Sequence, residues 1–361
     1  MSTRVCTTSP TSQAVTHESF LSHMFQASLL RRSQKHPAAQ QLLGGAVAAI
    51  LVLGNGPVSL GAQAAIDPNV APRAAALERS GERRMAIDLL GRYLATAPDD
   101  GRAWFQLGRF YLLDARDWHL QGHRGDPDGL LYLDFAATAL DQSVRLSVDS
   151  GVVFRGLAEL ERSIVFVEDS GWSVAGPNRI RPDRPELPAF ILELGSNLLS
   201  SCPAGGVLLL GNDLEALSVW YDSPGLSARE IVPISPDRYA TDSVYRRRMA
   251  EAMGIDPRLP VRTALAEVAS RRPLCLTPGA DSAAAPAMAW TPFRLSRVSR
   301  AVPAGPEALS VTELLEATRQ GTSVWVRDVR KVYDDAARFN TLLCSTFLPV
   351  FGDAPPAACR P

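Results

Sequence analysis

Residues 81–111 read GERRMAIDLLGRYLATAPDDGRAWFQLGRFY, and the recurrence of their apolar positions decides how the first half of the chain folds. Gly81 is a turn residue, and Ala86 and Leu90 follow on one face of a helix that Pro98 brings to its end. Trp104, Leu107, Gly108 and Tyr111 then open a second helix with the spacing W-x-x-L-G-x-x-Y. A turn, a helix, a stop and a fresh helix within about 34 residues is the period of a stacked helical repeat.

This pattern resembles the tetratricopeptide repeat, of which it covers about one and a half units. The resemblance implies helical hairpins that stack on one another and present a surface to other proteins. Beyond Tyr111 the pattern is interrupted by Asp114–Gly129, DARDWHLQGHRGDPDG, which is expected to be a loop because Gly122, Gly125, Pro127 and Gly129 disfavour a helix. An amphipathic helix resumes at Leu130 and runs through Phe135, Ala136, Leu140 and Val144. A third is expected from Val152 to Val167, with Phe154, Leu157, Leu160 and Ile164 in one stripe. Trp104 and Tyr111 suit packing between helices, and with Trp118, His119 and His123 they form the candidate partner-binding set.

His119 and His123 are the only histidines beyond residue 64, and Asp114, Asp117, Asp126 and Asp128 surround them. On a helix, an i, i+4 pair would turn both imidazoles to one face, where an aspartate could complete a metal site. The glycines argue for a solvated loop instead, and no Glu follows His119 as in zinc hydrolases. No metal or cofactor is assigned.

From Trp172 to Pro188 the chain is Pro-rich and reads as a linker. Past Pro188 the hydrophobic period changes. Phe190–Leu199 suits a short helix, and Gly206–Asn212, GVLLLGN, is an apolar run fit for a strand buried on both faces. Asp213 is placed to cap the helix Leu214–Tyr221. Glu230–Ser235 supplies a second strand in which Pro233 favours an edge. Helices are expected near Asp242–Met253 and Arg262–Ala269, a strand at Pro273–Thr277 and an extended segment over Met288–Val298. The fold class is therefore α+β in two domains: repeat-like helical hairpins (65–171), a linker (172–188), and a small α/β sandwich built on a β-α-β unit (189–300). A helical segment and tail (301–361) complete it, with Val324–Val326 as an alternative short strand. The combination GVLLLGND, WYD and REIVPIS resembles a soluble module of bacterial membrane proteins related to protein mannosyltransferases. That resemblance implies a fold over Cys202–Arg300 and, without the membrane spans that carry transferase chemistry, no activity.

Open α/β sheets bind ligands at the carboxyl ends of their strands, which singles out Asn212, Asp213, Ser235 and Asp237 as candidate ligand-binding residues. Capping and turn chemistry account for the same residues without a ligand. There is no phosphate loop or dinucleotide fingerprint, and no catalytic residue is assigned.

At the amino end, Arg31, Arg32 and Lys35 precede the apolar run Leu42–Leu53, a Gly54–Pro57 breaker and Ala62-Gln63-Ala64. That order is the one found in secretory signals, so residues 1–64 are expected to be a cleaved signal, with an uncleaved membrane anchor around Leu42–Leu53 as the alternative. Export to the periplasm or the extracellular side follows from the first, and anchoring in the membrane from the alternative. Cys202, Cys275, Cys344 and Cys359 remain, an even set with three possible pairings, of which Cys344–Cys359 would tie down the tail. With 37 basic and 38 acidic side chains the chain lacks the cationic excess of a nucleic-acid binder. The functional expectation is an exported, non-enzymatic interaction or scaffold protein, one form of which is an accessory subunit of a membrane-associated complex. An envelope enzyme or binding protein for glycans or small ligands is the alternative.

Overall fold

The computed structural model describes residues 67–120, 127–175, 184–300, 309–321, 323–351 and 355–360. The expected signal, His123 and the middle of the expected linker lie outside them. Among the described residues no helix is long and apolar enough to cross a membrane. The chain divides into two compact units, residues 1–99 and 100–361.

The first unit contributes a helical hairpin, α1 (Val70–Arg79) and α2 (Arg83–Leu94). Gly81 turns between them at a φ of +83°, a left-handed conformation that costs other residues about 1 kcal/mol. Ala74 of α1 and Ala86 and Leu90 of α2 are fully buried, the small alanines allowing close helix approach. The Asp67 amide donates to the Tyr93 hydroxyl at 2.8 Å and ties the entry of the hairpin to its exit.

The second unit begins with three long helices, α3 (Gly101–Leu120), α4 (Pro127–Arg145) and α5 (Asp149–Ser170), with α4 packed on both neighbours. Gly108 lets α3 and α4 meet: a Cβ there would lie 2.6 Å from Leu140 Cγ. The expected loop over Asp114–Gly129 is corrected, because α3 stays helical through Leu120. The glycines that argue against a helix all lie beyond that point, and Ala115 is buried while Trp118 packs edge-on to Tyr132. After the single turn α6 (Trp172–Ala175), α7 (Ala189–Ser200) approaches α8 (Asp213–Tyr221) so closely that a Cβ on Gly195 would lie 2.2 Å from the Ser218 carbonyl oxygen.

The sheet has five strands, β1 (Val207–Leu209), β2 (Val232–Ile234), β3 (Leu274–Leu276), β4 (Thr291–Phe293) and β5 (Ser296–Val298), in the order β2-β1-β3-β5-β4. β1 pairs in parallel with β2 (Leu208 opposite Pro233) and with β3 (Leu208 opposite Cys275), whereas β5 runs antiparallel to both β3 and β4. The three parallel strands are apolar and buried throughout, and Pro233, which cannot donate to a ladder, sits on an edge strand. The extended segment over Met288–Val298 is the β4–β5 hairpin, which makes the sheet mixed. Between the strands lie α9 (Ser223–Arg229), α10 (Pro236–Thr241), α11 (Ser243–Met253) and α12 (Val261–Arg271).

Three further helices complete the unit: α13 (Thr312–Gln320), α14 (Val324–Phe339) and α15 (Leu343–Phe351). Val324–Val326 is helical, not a strand: Ser323 caps α14 by accepting from the Val326 amide, and Val326, Val329, Tyr333 and Ala336 form its buried face. Glu193 of α7 accepts from the Ser310 hydroxyl and from the amides of Glu313 and Leu314, so a buried carboxylate caps α13. Asn197, one turn on, donates to the Tyr333 hydroxyl at 2.6 Å.

Both remaining cysteine pairs are disulfides, Cys202–Cys275 from the end of α7 to β3, and Cys344–Cys359 from α15 to the tail. They cross-link sequence separations of 73 and 15 residues respectively. Loop-closure entropy then predicts that the double variant Cys202→Ala/Cys275→Ala loses about 4 kcal/mol and Cys344→Ala/Cys359→Ala about 3 kcal/mol. Urea unfolding checks this, the longer loop showing the larger fall in midpoint.

Candidate functional site

At the carboxyl end of β1 the chain passes through Gly211 and Asn212 before entering α8, and at the end of β3 it passes through Thr277 and Gly279. The two glycines touch, since a Cβ on Gly211 would fall 1.8 Å from the Gly279 carbonyl carbon. Glu215, fully buried, joins these turns by accepting from the Gly211 amide at 2.8 Å, the Thr277 hydroxyl at 2.6 Å and the Gly279 amide at 2.9 Å. Burial nevertheless pushes its carboxyl above the usual value, the three hydrogen bonds offsetting only part of the desolvation. Asn212 Oδ1 accepts from the Glu215 amide at 2.9 Å, so Asn212 and not Asp213 is the helix cap. An extended residue must precede the first turn, and Asn212 is extended whereas Asp213 is already helical.

The order β2-β1-β3 puts the reversal of strand order between β1 and β3, where doubly wound sheets open a crevice. A recess of about 270 Å³ lies there, lined by Asn212, Asp213 and Gly279 and, from α14, by Asp328, Lys331 and Asp335. Lys331 pairs with Asp335 at 2.6 Å across its edge. The structure thus brings Asn212 and Asp213 to one recess. Ser235 and Asp237 stand apart at the end of β2, where Ser235 caps α10 and Asp237 is exposed in its first turn.

Asp213 also begins a charged chain that runs into the long helices. Its Oδ2 accepts from Arg116 Nη1 at 2.9 Å, Arg116 Nε donates to Glu161 Oε1 at 2.7 Å, and Arg238 Nη2 donates to Glu161 Oε2 at 2.6 Å. Burial by itself would raise the Glu161 carboxyl, but the charges of Arg238 and Arg116 and their hydrogen bonds outweigh it and hold the group at about 2. Burial likewise opposes the charge on Arg238, and Glu161 more than reverses that.

Farther along the same elements, His119 Nε2 is in contact with Glu168 Oε2 and lies 3.7 Å from Asp242 Oδ2. These side chains are 13%, 2% and 0% exposed. Asp242 is the cap of α11, its Oδ1 accepting from the amides of Val244 and Tyr245 at 2.9 and 3.0 Å. Arg248 Nε donates to the Glu168 carbonyl at 2.8 Å. Spacing points from His119 to His123 and the neighbouring aspartates, whereas its observed partners come from α5 and the α10–α11 junction. The capping pattern at Asp242 is the one signal in the sequence for that carboxylate's position, and nothing local signals Glu168.

Of the other candidate partner contacts, Trp104 is 1% exposed and so is buried inside the protein. Tyr111 is half-buried beside Phe135, with ring centroids 5.3 Å apart, and Trp118 is half-buried against Tyr132 at 6.1 Å.

Because the folded value of Glu161 lies below the usual 4.5, its stabilisation is complete above that pH and disappears as pH falls toward 2. Replacement by Glu161→Gln is expected to cost about 3 kcal/mol at pH 7 and to flatten the stability profile between pH 5 and about 2. Urea titrations at a series of pH values read both effects.

Residues 71–110 match the tetratricopeptide repeat, a span that covers nearly all of α1, the whole of α2 and the first half of α3. No curated protein and no solved structure matches the chain. Gly81 at the inter-helix turn, buried Ala86 and Leu90 in α2, and buried Trp104, Leu107 and Gly108 in α3 are the residues that carry the pattern. The protein therefore contains a tetratricopeptide repeat, a class of motif that generally mediates protein–protein interaction.

Proposed function

We propose that the protein is an exported, non-enzymatic scaffold that docks other proteins through its repeat helices, and that it serves as an accessory subunit of a membrane-associated complex. The observation that carries this reading is the repeat match over residues 71–110. A repeat hairpin covers one face of each helix and leaves the other to a partner. On α1 and α2 the outer positions include Arg73, Arg84 and Met85, the last 57% exposed. Export is supported by the order of basic, apolar and small residues over Arg31–Ala64 and by two disulfides, which persist in oxidising compartments.

The second reading, a binding protein or envelope enzyme for glycans or small ligands, is favoured by the recess at the β1 and β3 ends, which combines Asn212 with carboxylates and Lys331.

The test is cross-linking in the native host followed by gentle-detergent purification of carboxy-terminally tagged protein, with mass spectrometry of partner and of the bait's amino terminus. A stoichiometric partner is expected, lost with Arg73→Glu/Arg84→Glu/Met85→Asp, which alters exposed positions alone. A bait that retains Leu42–Leu53 makes it a membrane subunit. A solitary bait beginning at Ala65, whose melting temperature rises with a sugar and no longer does so in Asp335→Asn, replaces the scaffold with the second reading.

A further inference from the structure

We propose that His119, Glu168 and Asp242 bind a single divalent transition-metal ion of the zinc class, which pins the end of α3 to α5 and to the α10–α11 junction. Each residue offers one ligand atom, and all three atoms lie within 4.8 Å of one another. Ligand atoms around a tetrahedral zinc ion stand roughly 3.4 Å apart. The 3.7 Å between His119 Nε2 and Asp242 Oδ2 is close to that edge, and the His119–Glu168 contact reaches it by a small rotation of the glutamate.

Two observations separate this arrangement from an ordinary group of charged side chains. The first is burial: two carboxylates and an imidazole share one spot withdrawn from water, with one donor atom of each turned toward the others. The second is the state of the imidazole nitrogen. His119 Nε2 is fully buried and directed at both carboxylates, yet neither contact has the geometry of a hydrogen bond. In the tautomer with its proton on Nδ1, a nitrogen placed this way serves as a metal ligand.

The surroundings also orient the donors. Backbone amides of Val244 and Tyr245 occupy Asp242 Oδ1, which turns Oδ2 toward His119. Arg248 holds the carbonyls of Glu168 and Asp169 and so fixes the backbone from which the glutamate projects. Metal sites are held by outer contacts of this kind. One nitrogen with two carboxylate oxygens suits zinc or manganese, whereas calcium and magnesium take oxygen ligands in larger number.

The test uses the full chain, stripped with a chelator and titrated with zinc against a chromophoric competitor. One ion per chain at submicromolar affinity is expected. His119→Gln and Glu168→Gln should each weaken binding at least about tenfold, while Glu316→Gln, exposed on α13, which gives no residue to the cluster, leaves it unchanged. Circular dichroism establishes that the variants fold. If they do not, X-ray absorption of the zinc-loaded wild-type protein decides, the expected environment being one imidazole with oxygen donors. Binding weaker than micromolar, stoichiometric binding that survives both substitutions, or a zinc environment with sulfur or several imidazoles would each overturn the assignment.

Discussion

Glu161 is a carboxylate withdrawn from water and held from two sides, by Arg116 of α3 and by Arg238 of α10, with Asp213 closing on the far side of Arg116. An ionised group in such a place costs several kcal/mol if either partner is lost, yet the intact set roughly offsets its own desolvation. Its consequence is therefore arrangement more than net stability. Apolar faces such as those of α3 and α5 tolerate sliding by a turn, whereas a carboxylate shared by two guanidinium groups does not. The stabilisation itself comes from the apolar core, which runs continuously from Leu112 and Leu140 through Leu157 and Leu194 to the strand residues Leu208 and Leu276.

The same register places the rest. His119 follows Arg116 by one turn on α3, Glu168 follows Glu161 by two turns on α5, and Asp242 follows Arg238 at the end of α10. The three elements that hold the charged triad thus also bring the second cluster together. In the other direction, Asp213 belongs at once to the charged chain through Arg116 and to the wall of the recess between β1 and β3. Glu215 joins both strand ends beside that recess through the backbone amides of Gly211 and Gly279. The helices and the strand-end recess are linked by continuous polar contacts, all of them within residues 100–361.

Much of this is legible in local pattern. The spacing of Gly81, Ala86, Trp104 and Tyr111 reports helices that must pack closely, and a left-handed glycine and buried small residues are what such packing requires. The runs at Val207–Leu210 and Leu274–Leu276 have no polar face, so a strand covered on both sides is the natural home for them. Elsewhere local preference misleads. Val324–Val326 is β-prone by composition, but a helix places Val326, Val329, Tyr333 and Ala336 on one stripe, and burying that stripe outweighs the modest intrinsic preference. Glycines beyond residue 121 make the whole of Asp114–Gly129 look like a loop, while packing of Ala115 and Trp118 extends α3 through Leu120.

The sequence by itself determined the repeat hairpin, the parallel strands, the edge placement of Pro233 and an even set of cysteines, because each is a property of spacing or composition within a few turns. Only the tertiary structure decided how the cysteines pair, that Glu161 is shared by Arg116 and Arg238, and that His119 meets Glu168 and Asp242. These contacts join groups far apart in the chain, and they depend on how helices cross and on which carboxylate ends up without water. No local periodicity encodes that.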